Sequence, residues 1–243
     1  KISQILGILL WVESGLLLLC MCVSLYYHET SYKAFLYTFG INIIVGGLLM
    51  LYGKGAHNRV TRRDGYCIVS LTWILSSLSG MLPFMLSGEI PTAANAFFET
   101  MSGFTTTGAT ILNDIESLSH GMLFWRSLIQ WIGGLGMVCF TIAILPIFGG
   151  SNQQLFSAEA TGVTHDKIHP KISVMTKWIW TIYTILTVTL IILLLIGGMD
   201  LFDAICHAFC TTATGGYSTK QASVAHWNSP FIEYVISIFM ILS

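Results

Sequence analysis

Five long segments of this chain are almost free of charge, and they constrain its fold more than any other feature. They span residues 2–27, 34–52, 66–86, 121–148 and 172–198, and only Glu13, Arg126 and Lys177 are charged within them. A helix needs about 20 apolar residues to cross about 30 Å of hydrocarbon. Charged residues make up 9% of the chain, whereas an ordinary soluble domain has roughly 25%. A water-soluble globule is therefore excluded, and the sequence predicts an all-α polytopic membrane protein.

The remaining composition argues against several other classes of protein. A net charge of −1 gives no basis for binding nucleic acid. The six cysteines lie within or at the ends of apolar segments, so they are interpreted as small buried side chains rather than a disulfide framework. Cys206 and Cys210 are one helical turn apart, which would suit a metal, but a structural zinc site needs four ligands. Ordinary packing is therefore favoured for this pair.

Basic residues predict which ends of the spans are cytoplasmic, because lysine and arginine are enriched in cytoplasmic loops. Most of them lie before the first span or in two loops, at Lys1, Lys54, Arg59, Arg62, Arg63, Lys167, Lys171 and Lys177. The N-terminus and both loops are therefore predicted to be cytoplasmic. The opposite, outer side then contains the acidic residues Glu29, Glu89, Asp114, Glu116, Asp200 and Asp203.

Two further segments are only half-apolar and too short to cross a membrane, residues 91–104 and 201–210. Aligning Gly108 with Gly215 superposes them with a shift of 107 residues, and the same shift relates the spans around them. The sequence therefore predicts two N-terminal helices, in residues 1–60, followed by two tandem repeats, each made of a span, a half-helix with a loop, and a second span. The repeats occupy residues 61–150 and 151–243, and the second begins with a cytoplasmic loop. Its last helix is short for a span, so this repeat is interpreted as truncated.

A run of threonine, glycine and alanine, rather than charged residues, follows each half-apolar segment. Non-helical backbone at membrane depth is tolerated only where protein buries it or where it lines a water-filled cavity. In a cation pore, carbonyl oxygens replace the hydration shell of the ion, and glycine permits the backbone angles that direct them to one axis. The C-terminus of each half-helix also directs its negative dipole end at this volume. The pattern predicts a cation pore.

Long motifs in these loops, and in the helix between them, resemble one known family. The first loop reads FFETMSGFTTTGAT at residues 97–110, and the second reads TATGGYST at residues 212–219. Between them lie WIGGLG at residues 131–136 and AILP at residues 143–146. Together with the two leading spans, they resemble the Trk, Ktr and HKT superfamily of potassium transporters, most closely its bacterial Trk membrane subunits. The resemblance covers the whole chain, and it implies tandem M1-pore helix-M2 repeats of potassium-channel-like architecture after the two N-terminal helices.

The resemblance implies which residues form a selectivity filter, because each repeat of that family contributes one filter strand with a central glycine. By position, the strands are Thr106, Thr107, Gly108, Ala109 and Thr110, and Ala213, Thr214, Gly215, Gly216 and Tyr217. Gly108 and Gly215 would be the central glycines. Potassium would bind to the backbone of Thr106, Thr107, Gly108, Thr214 and Gly215. Glycine rather than serine at Gly108 resembles the potassium-selective members more than the sodium-selective ones.

The resemblance also implies the ligand, the partners and the location of the protein. The ion is potassium, and no organic cofactor is expected. The partners would be membrane lipid, a second copy in a homodimer, and a cytosolic ring of nucleotide-binding regulatory domains of the TrkA type. The location would be the bacterial cytoplasmic (inner) membrane, with several passes and a cytoplasmic N-terminus. Family members carry four repeats around one pore, so this chain resembles the N-terminal half of such a subunit.

Several polar residues within apolar segments have more than one possible role. Arg126, one turn before Gln130, could reach the outer interface, pair with an acidic residue or contribute to the cation barrier of a pore. For Glu99, in the first half-helix, hydrogen bonding to the pore scaffold is favoured over attracting cations to an outer vestibule. Glu13 lies within the first span, where it is expected to face protein or to be protonated, and a structural role is favoured over a transport role.

Two other groups of residues are given ordinary structural interpretations. His165 and His169 are four residues apart in a polar loop and are interpreted as solvated rather than metal-binding. The small residues of the segment 131–136 allow close approach of helices and are interpreted as packing positions.

Potassium uptake through a pore filter of backbone carbonyls is therefore the main functional hypothesis, and the protein is not expected to be an enzyme. A non-conducting membrane scaffold subunit and an intramembrane enzyme remain as alternatives. An enzyme would need a nucleophile with a base. Ser102, Ser218 and His207 are candidates by residue type alone, since no hydrolase motif surrounds them.

Overall fold

The computed structural model describes residues 2–54, 62–148 and 172–243, and these ranges contain helices but no strand. His165 and His169 lie outside them. The helices are α1 (Ile2–Tyr26), α2 (Tyr32–Tyr52), α3 (Arg62–Gly80), α4 (Leu82–Ser87), α5 (Ala93–Phe104), α6 (His120–Phe148), α7 (Ile172–Ile196), α8 (Leu201–Thr212) and α9 (Pro230–Leu242), with a 3-10 turn at Ser223–Trp227. The predicted order of long helices and half-helices is confirmed.

Four segments are long and apolar enough to cross a membrane: Ile2–Tyr26, Tyr32–Tyr52, Gly65–Ser87 and Lys177–Ile196. The fifth predicted span is α6, whose 29 residues extend about 43 Å at 1.5 Å per residue. Large apolar side chains such as Val12, Ile44 and Ile192 are exposed along the spans. A surface of this kind is stable against lipid tails and not against water.

The third predicted span crosses as one segment, Gly65–Ser87, but it contains a one-residue break between two helices. It is interrupted at Met81, between α3 and α4, and Pro83 lies in the first turn of α4. Proline has no backbone N–H and cannot continue the hydrogen-bond ladder of a helix. The carbonyl of Gly80 at the interruption instead accepts a hydrogen bond from the Trp125 indole of α6, at 3.0 Å. This contact fixes α3 against the helix that follows the first loop.

The N-terminal hairpin of α1 and α2 packs closely on itself and on the first repeat. A Cβ atom on Gly7 would lie 2.6 Å from the carbonyl oxygen of Gly46, so the two backbones are in direct contact. The core shared by the hairpin and the first repeat includes Leu17, Phe35 and Trp125, all fully or almost fully buried. Between helices in lipid, such close packing is stabilised by van der Waals contacts rather than by removal of apolar surface from water.

The second repeat has a core of its own between α7, α8 and α9. Its buried members include Leu190, Leu194, Ala204, Ala208 and Ile232. The half-helices α5 and α8 have 12 residues each, about 18 Å of helix, so neither crosses the membrane. Each ends inside the protein against α6.

Two carboxylates hold the N-terminus of α6 and so position the residues further along it. Glu29 accepts hydrogen bonds from the backbone N–H groups of His120 and Gly121, at 2.7 and 3.1 Å. Glu89 accepts from the Ser119 N–H and hydroxyl, at 3.1 and 2.7 Å. Burial raises the pKa of the Glu89 carboxyl above its usual value, although the Ser119 hydrogen bonds oppose this. Carboxylates at this end also complement the positive pole of the helix dipole.

Candidate ion-conducting site

The first loop leaves its half-helix through a compact hydrogen-bonded turn. The N–H of Thr106 donates to the Gly103 carbonyl and that of Thr107 donates to the Ser102 carbonyl, both at 3.0 Å. Thr106 has a φ of 55° and Gly108 a φ of 73°, while Thr107 between them stays at negative φ. Alternate residues of this strand are therefore left-handed.

The second loop repeats this geometry. The Thr214 N–H donates to the Thr211 carbonyl at 3.0 Å, and the Gly215 N–H donates to the Cys210 carbonyl at 2.9 Å. The left-handed residues are Thr214, with a φ of 54°, and Gly216, with a φ of 101°. An internal repeat is therefore confirmed at the level of backbone conformation.

The register of the repeat predicted from the sequence is wrong by one residue. Hydrogen bonds, φ angles and the bounds of α5 and α8 all correspond with a shift of 108 rather than 107. Gly216 is therefore the counterpart of Gly108, and Gly215 is the counterpart of Thr107. The strand equivalent to residues 106–110 is 214–218, which adds Ser218 and removes Ala213. The adjacent glycines 215 and 216 made both registers possible in the sequence.

The two loops lie directly against each other. A Cβ atom added to Gly108 would overlap the carbonyl oxygen of Gly215. The Tyr217 hydroxyl donates to the backbone carbonyl of Glu99 at 2.6 Å, and lies 3.4 Å from that of Ala109. The second strand is thus bonded to both the half-helix and the strand of the first repeat.

Arg126 and Glu99 form an ion pair behind the first strand. Arg126 Nη2 and Nε lie 2.8 and 2.9 Å from Glu99 Oε1, and both side chains are at most 1% exposed. Glu99 also accepts from the hydroxyl of Thr110 and the N–H of Ile111. The preferred scaffold role of Glu99 agrees with these contacts. Of the roles left open for Arg126, pairing with an acidic residue is the one observed, and snorkelling to the interface is wrong.

Arg126 also contacts the second strand, which links the two repeats. Its Nη1 donates to the Ser218 carbonyl at 3.3 Å. Its guanidinium carbon lies 4.1 Å from the centroid of the Tyr217 ring, a cation–π contact. The planar guanidinium is suited to several simultaneous contacts of this kind. Neither Tyr217 nor Ser218 could be assigned to Arg126 from the sequence, because the partners come from different repeats.

Gln130, one turn further along α6, holds the second strand from behind. Its Oε1 accepts from the Tyr217 N–H at 3.2 Å. A Cβ atom on Gly215 would overlap the Gln130 amide. The small residues after it, Gly133 and Gly134, lie against Phe104 and Ala213 at the bases of the two loops. The packing interpretation of this glycine segment is confirmed, but its contacts are with the half-helix ends.

His207 occupies in the second repeat the position that Glu99 has in the first, with the shift of 108. Its Nδ1 lies 2.8 Å from the Asp203 carbonyl, and its Nε2 lies 3.0 Å from the Ser218 hydroxyl. Because Nδ1 faces a carbonyl oxygen, it carries the proton, and Nε2 accepts from Ser218. The hydroxyls of Thr110 and Ser218 are therefore bonded at equivalent positions, that of Thr110 to Glu99 and that of Ser218 to His207. The Asp203 carboxylate accepts from the Thr219 hydroxyl at 2.7 Å, and no carboxylate among the described residues is bonded to His207.

The other candidates suggested by residue type have structural contacts. Ser102 donates to the Ala109 carbonyl at 2.6 Å, which closes the first turn. Cys206 and Cys210 are buried in α8. Within residues 2–54, 62–148 and 172–243, no three histidine, cysteine, aspartate or glutamate side chains are grouped as a metal site would require.

Removing the Tyr217 hydroxyl is expected to weaken the contact between repeats. Tyr217→Phe keeps the ring over Arg126 but removes one of the donors to the Glu99 carbonyl, which retains its helical partner within α5, so the expected cost is about 0.5–1.5 kcal/mol. Chemical denaturation of the full-length protein in detergent would measure the change. Tyr37→Phe is the matched control, because Tyr37 is 62% exposed, and no change is expected there. Equal stability of Tyr217→Phe and wild type would show that the hydrogen bond contributes nothing.

The fold and these loops define a polytopic membrane protein with tandem M1-pore helix-M2 repeats. Residues 31–243 match the sequence model of the TrkH family, described as a cation transport protein. The chain belongs to this family, whose description is that of a transport protein and not of an enzyme.

Individual relatives agree with this assignment. The chain is 41% identical to the Trk system potassium uptake protein TrkH of Escherichia coli (strain K12) and 35% identical to TrkG of the same strain. Both matches cover the whole chain and 50% of the relative. The crystal structure of the potassium transporter TrkH from Vibrio parahaemolyticus is 33% identical, with a TM-score of 0.86 over 99% of this chain and 48% of that one. The chain thus spans about half the length of these relatives and corresponds to their N-terminal half.

Proposed function

We propose that this chain supplies two strands of the selectivity filter of a potassium uptake pore. The strands are residues 106–110 and 214–218, each following a half-helix. The observation that carries the proposal is the identical alternation of left-handed residues, at Thr106 and Gly108 and again at Thr214 and Gly216. Alternating the hand of successive residues turns successive carbonyls towards the same side, as an ion-coordinating strand requires.

Potassium is the proposed ion, coordinated by backbone oxygens of Thr106, Thr107, Gly108, Thr214 and Gly215. Gly216 joins this set because it is the counterpart of Gly108. The C-terminal ends of α5 and α8 add the negative poles of their dipoles near the same volume. The names of the relatives, which are potassium uptake proteins and a potassium transporter, support the choice of ion.

Arg126 has a positioning role in this proposal. Its charge is neutralised by Glu99, at 2.8 Å, so it holds the strands without adding a free positive charge near the ions. A ring of four strands needs two further loops. We assign them to the half of the relatives' length that this chain does not span.

The proposed setting is a bacterial cytoplasmic membrane, with the N-terminus inside. The positive-inside rule supports this orientation. The proposed partners are a second copy of the protein and a cytosolic ring of nucleotide-binding regulatory domains, and the family resemblance supports both. The three-part division at residues 60 and 150 is retained as the proposed domain organisation.

Ion flux through the purified full-length protein in liposomes tests the proposal. Potassium flux is expected, with sodium flux much smaller. Gly108→Asp is expected to remove flux or selectivity, because it places a carboxylate within the filter. No flux from folded wild-type protein would favour the scaffold alternative. Unchanged flux and selectivity in Gly108→Asp would contradict the filter assignment.

A further inference from the structure

A cavity of about 230 Å³ lies between α1, α3 and α6, beside the end of α5. Its walls are mostly apolar and include the aromatic rings of Trp73 and Phe104. The polar side chains that line it are Glu13, Thr72 and Ser76. None of residues 105–110 or 213–219 lines it, so it is distinct from the proposed filter.

Glu13 is the unusual member of this lining. It is 4% exposed, and neither of its carboxylate oxygens has a hydrogen-bond partner in the part of the chain that the structure describes. Two of the nearby hydroxyls are engaged elsewhere, since Thr72 donates to the Ile68 carbonyl at 2.7 Å and Ser79 donates to Asn42 at 2.8 Å. The third, that of Ser76, lines the cavity beside Glu13. An ionisable side chain at membrane depth without a partner is costly. A positively charged ligand would offset this cost.

The surroundings of Glu13 select the class of cation. A bare metal ion needs several oxygen ligands, and this cavity offers one carboxylate and two hydroxyls among apolar groups. An organic ammonium ion needs one counter-charge, apolar contact for its arms and, favourably, an aromatic face. Trp73 supplies that face. Val12, at the rim, is 58% exposed on the lipid-facing side of α1, so a ligand would enter from the lipid.

We propose that this cavity binds a lipid-soluble organic ammonium ion, with the ammonium group paired to Glu13 and the apolar arms against Trp73 and Phe104. Phe104 is the last residue of α5, and its carbonyl lies against Gly133. A bound ligand therefore touches the base of the first loop. Binding at this cavity does not depend on the path of the ion.

Benzyltrimethylammonium and neopentylbenzene are suitable probes, because they share a shape and differ in the charge of one atom. Their binding to the full-length protein in lipid nanodiscs can be measured by calorimetry. The charged probe is expected to bind the wild type. Glu13→Gln is expected to lower its affinity at least about tenfold, because an ion pair in a low-dielectric site is lost. The same substitution should leave any binding of the neutral probe unchanged.

Two further variants test whether binding needs the carboxylate of the cavity in particular and the open volume of the cavity. Glu233→Gln removes an exposed carboxylate of α9 and should leave binding unchanged. A Cβ atom on Gly136 would contact only Trp73, at 3.9 Å, so Gly136→Leu should fill the cavity and abolish binding of both probes. Equal affinity for folded wild type and Glu13→Gln would overturn the proposal. So would absence of binding to folded wild type, as expected if another part of the full-length protein occupies the cavity.

Discussion

Gly108→Ala is expected to reduce potassium uptake by the full-length protein at least about tenfold, since about 1.4 kcal/mol of strain corresponds to a tenfold change. Gly108 has a φ of 73°, in a region that alanine adopts with strain. An added Cβ would also overlap the Gly215 carbonyl oxygen. The two loops would have to move apart, and the proposed carbonyl positions would be lost. Uptake in cells that lack other potassium transporters would measure the effect.

Gly40→Ala is the matched control for this change. Gly40 lies in α2, where an added Cβ would meet nothing within 4 Å, and a helix interior favours alanine over glycine. Uptake is expected to equal that of the wild type. If Gly108→Ala also transports at the wild-type rate, with similar protein in the membrane, then the loops do not form the filter.

The corrected register can be tested with the two neighbouring glycines of the second loop. The Cβ atom added by Gly215→Ala would overlap the Gln130 amide. Gly216→Ala would instead strain the backbone, which has a φ of 101° at this residue. Gly215→Ala and Gln130→Ala should therefore be strongly non-additive in their effect on uptake, because they change one contact. Gly216→Ala and Gln130→Ala should be nearly additive. The reverse pattern would support the shift of 107.

Arg126→Leu is expected to lower the free energy of unfolding by about 3–5 kcal/mol, because it leaves the Glu99 carboxylate buried without its partner. Both side chains are at most 1% exposed, so water cannot solvate the remaining charge. The contacts of Arg126 with Ser218 and Tyr217 are lost as well. Thermal or denaturant unfolding of the full-length protein in detergent would measure the stability. Potassium-to-sodium selectivity should fall with it, since Arg126 holds both strands.

A second substitution and a surface pair provide the controls. Adding Glu99→Gln to Arg126→Leu removes the unpaired charge and should recover part of the lost stability. Lys220→Gln breaks a looser pair with Asp203, at 3.7 Å, whose lysine is 28% exposed, and should change stability by at most about 1 kcal/mol. If Arg126→Leu and Lys220→Gln have equal effects, the buried pair is not a structural link between the repeats.

Much of the helical framework could be predicted from the sequence. The long spans and the two half-helices agree with the structure to within two residues at most ends, because apolar length and interrupting residues are local properties. The interruption before Pro83 was missed, although the missing N–H of proline was a usable signal. The contact of Arg126 with Glu99 was one of several open possibilities. Its contacts with Tyr217 and Ser218 had no sequence signal.

The register of the second loop shows why the glycine motif alone could not align the two repeats correctly. Gly215 and Gly216 match Gly108 equally well as residue types. They differ in that the Gly215 N–H donates to the Cys210 carbonyl, as that of Thr107 does to Ser102, and in that only Gly216 has a positive φ. Those properties depend on where α8 ends, and a sequence locates helix ends only to within one or two residues.

The sequence by itself determined that this chain forms membrane helices in two tandem repeats with threonine- and glycine-rich loops. Hydrocarbon imposes that outcome, since every backbone group there needs a partner within a helix or within a protein-lined cavity. Only the tertiary structure decided which loop residues correspond and what holds them. The contacts of Arg126 join residues 27 and 92 positions apart. Such pairings follow from how the helices pack, and no local pattern of residues specifies them.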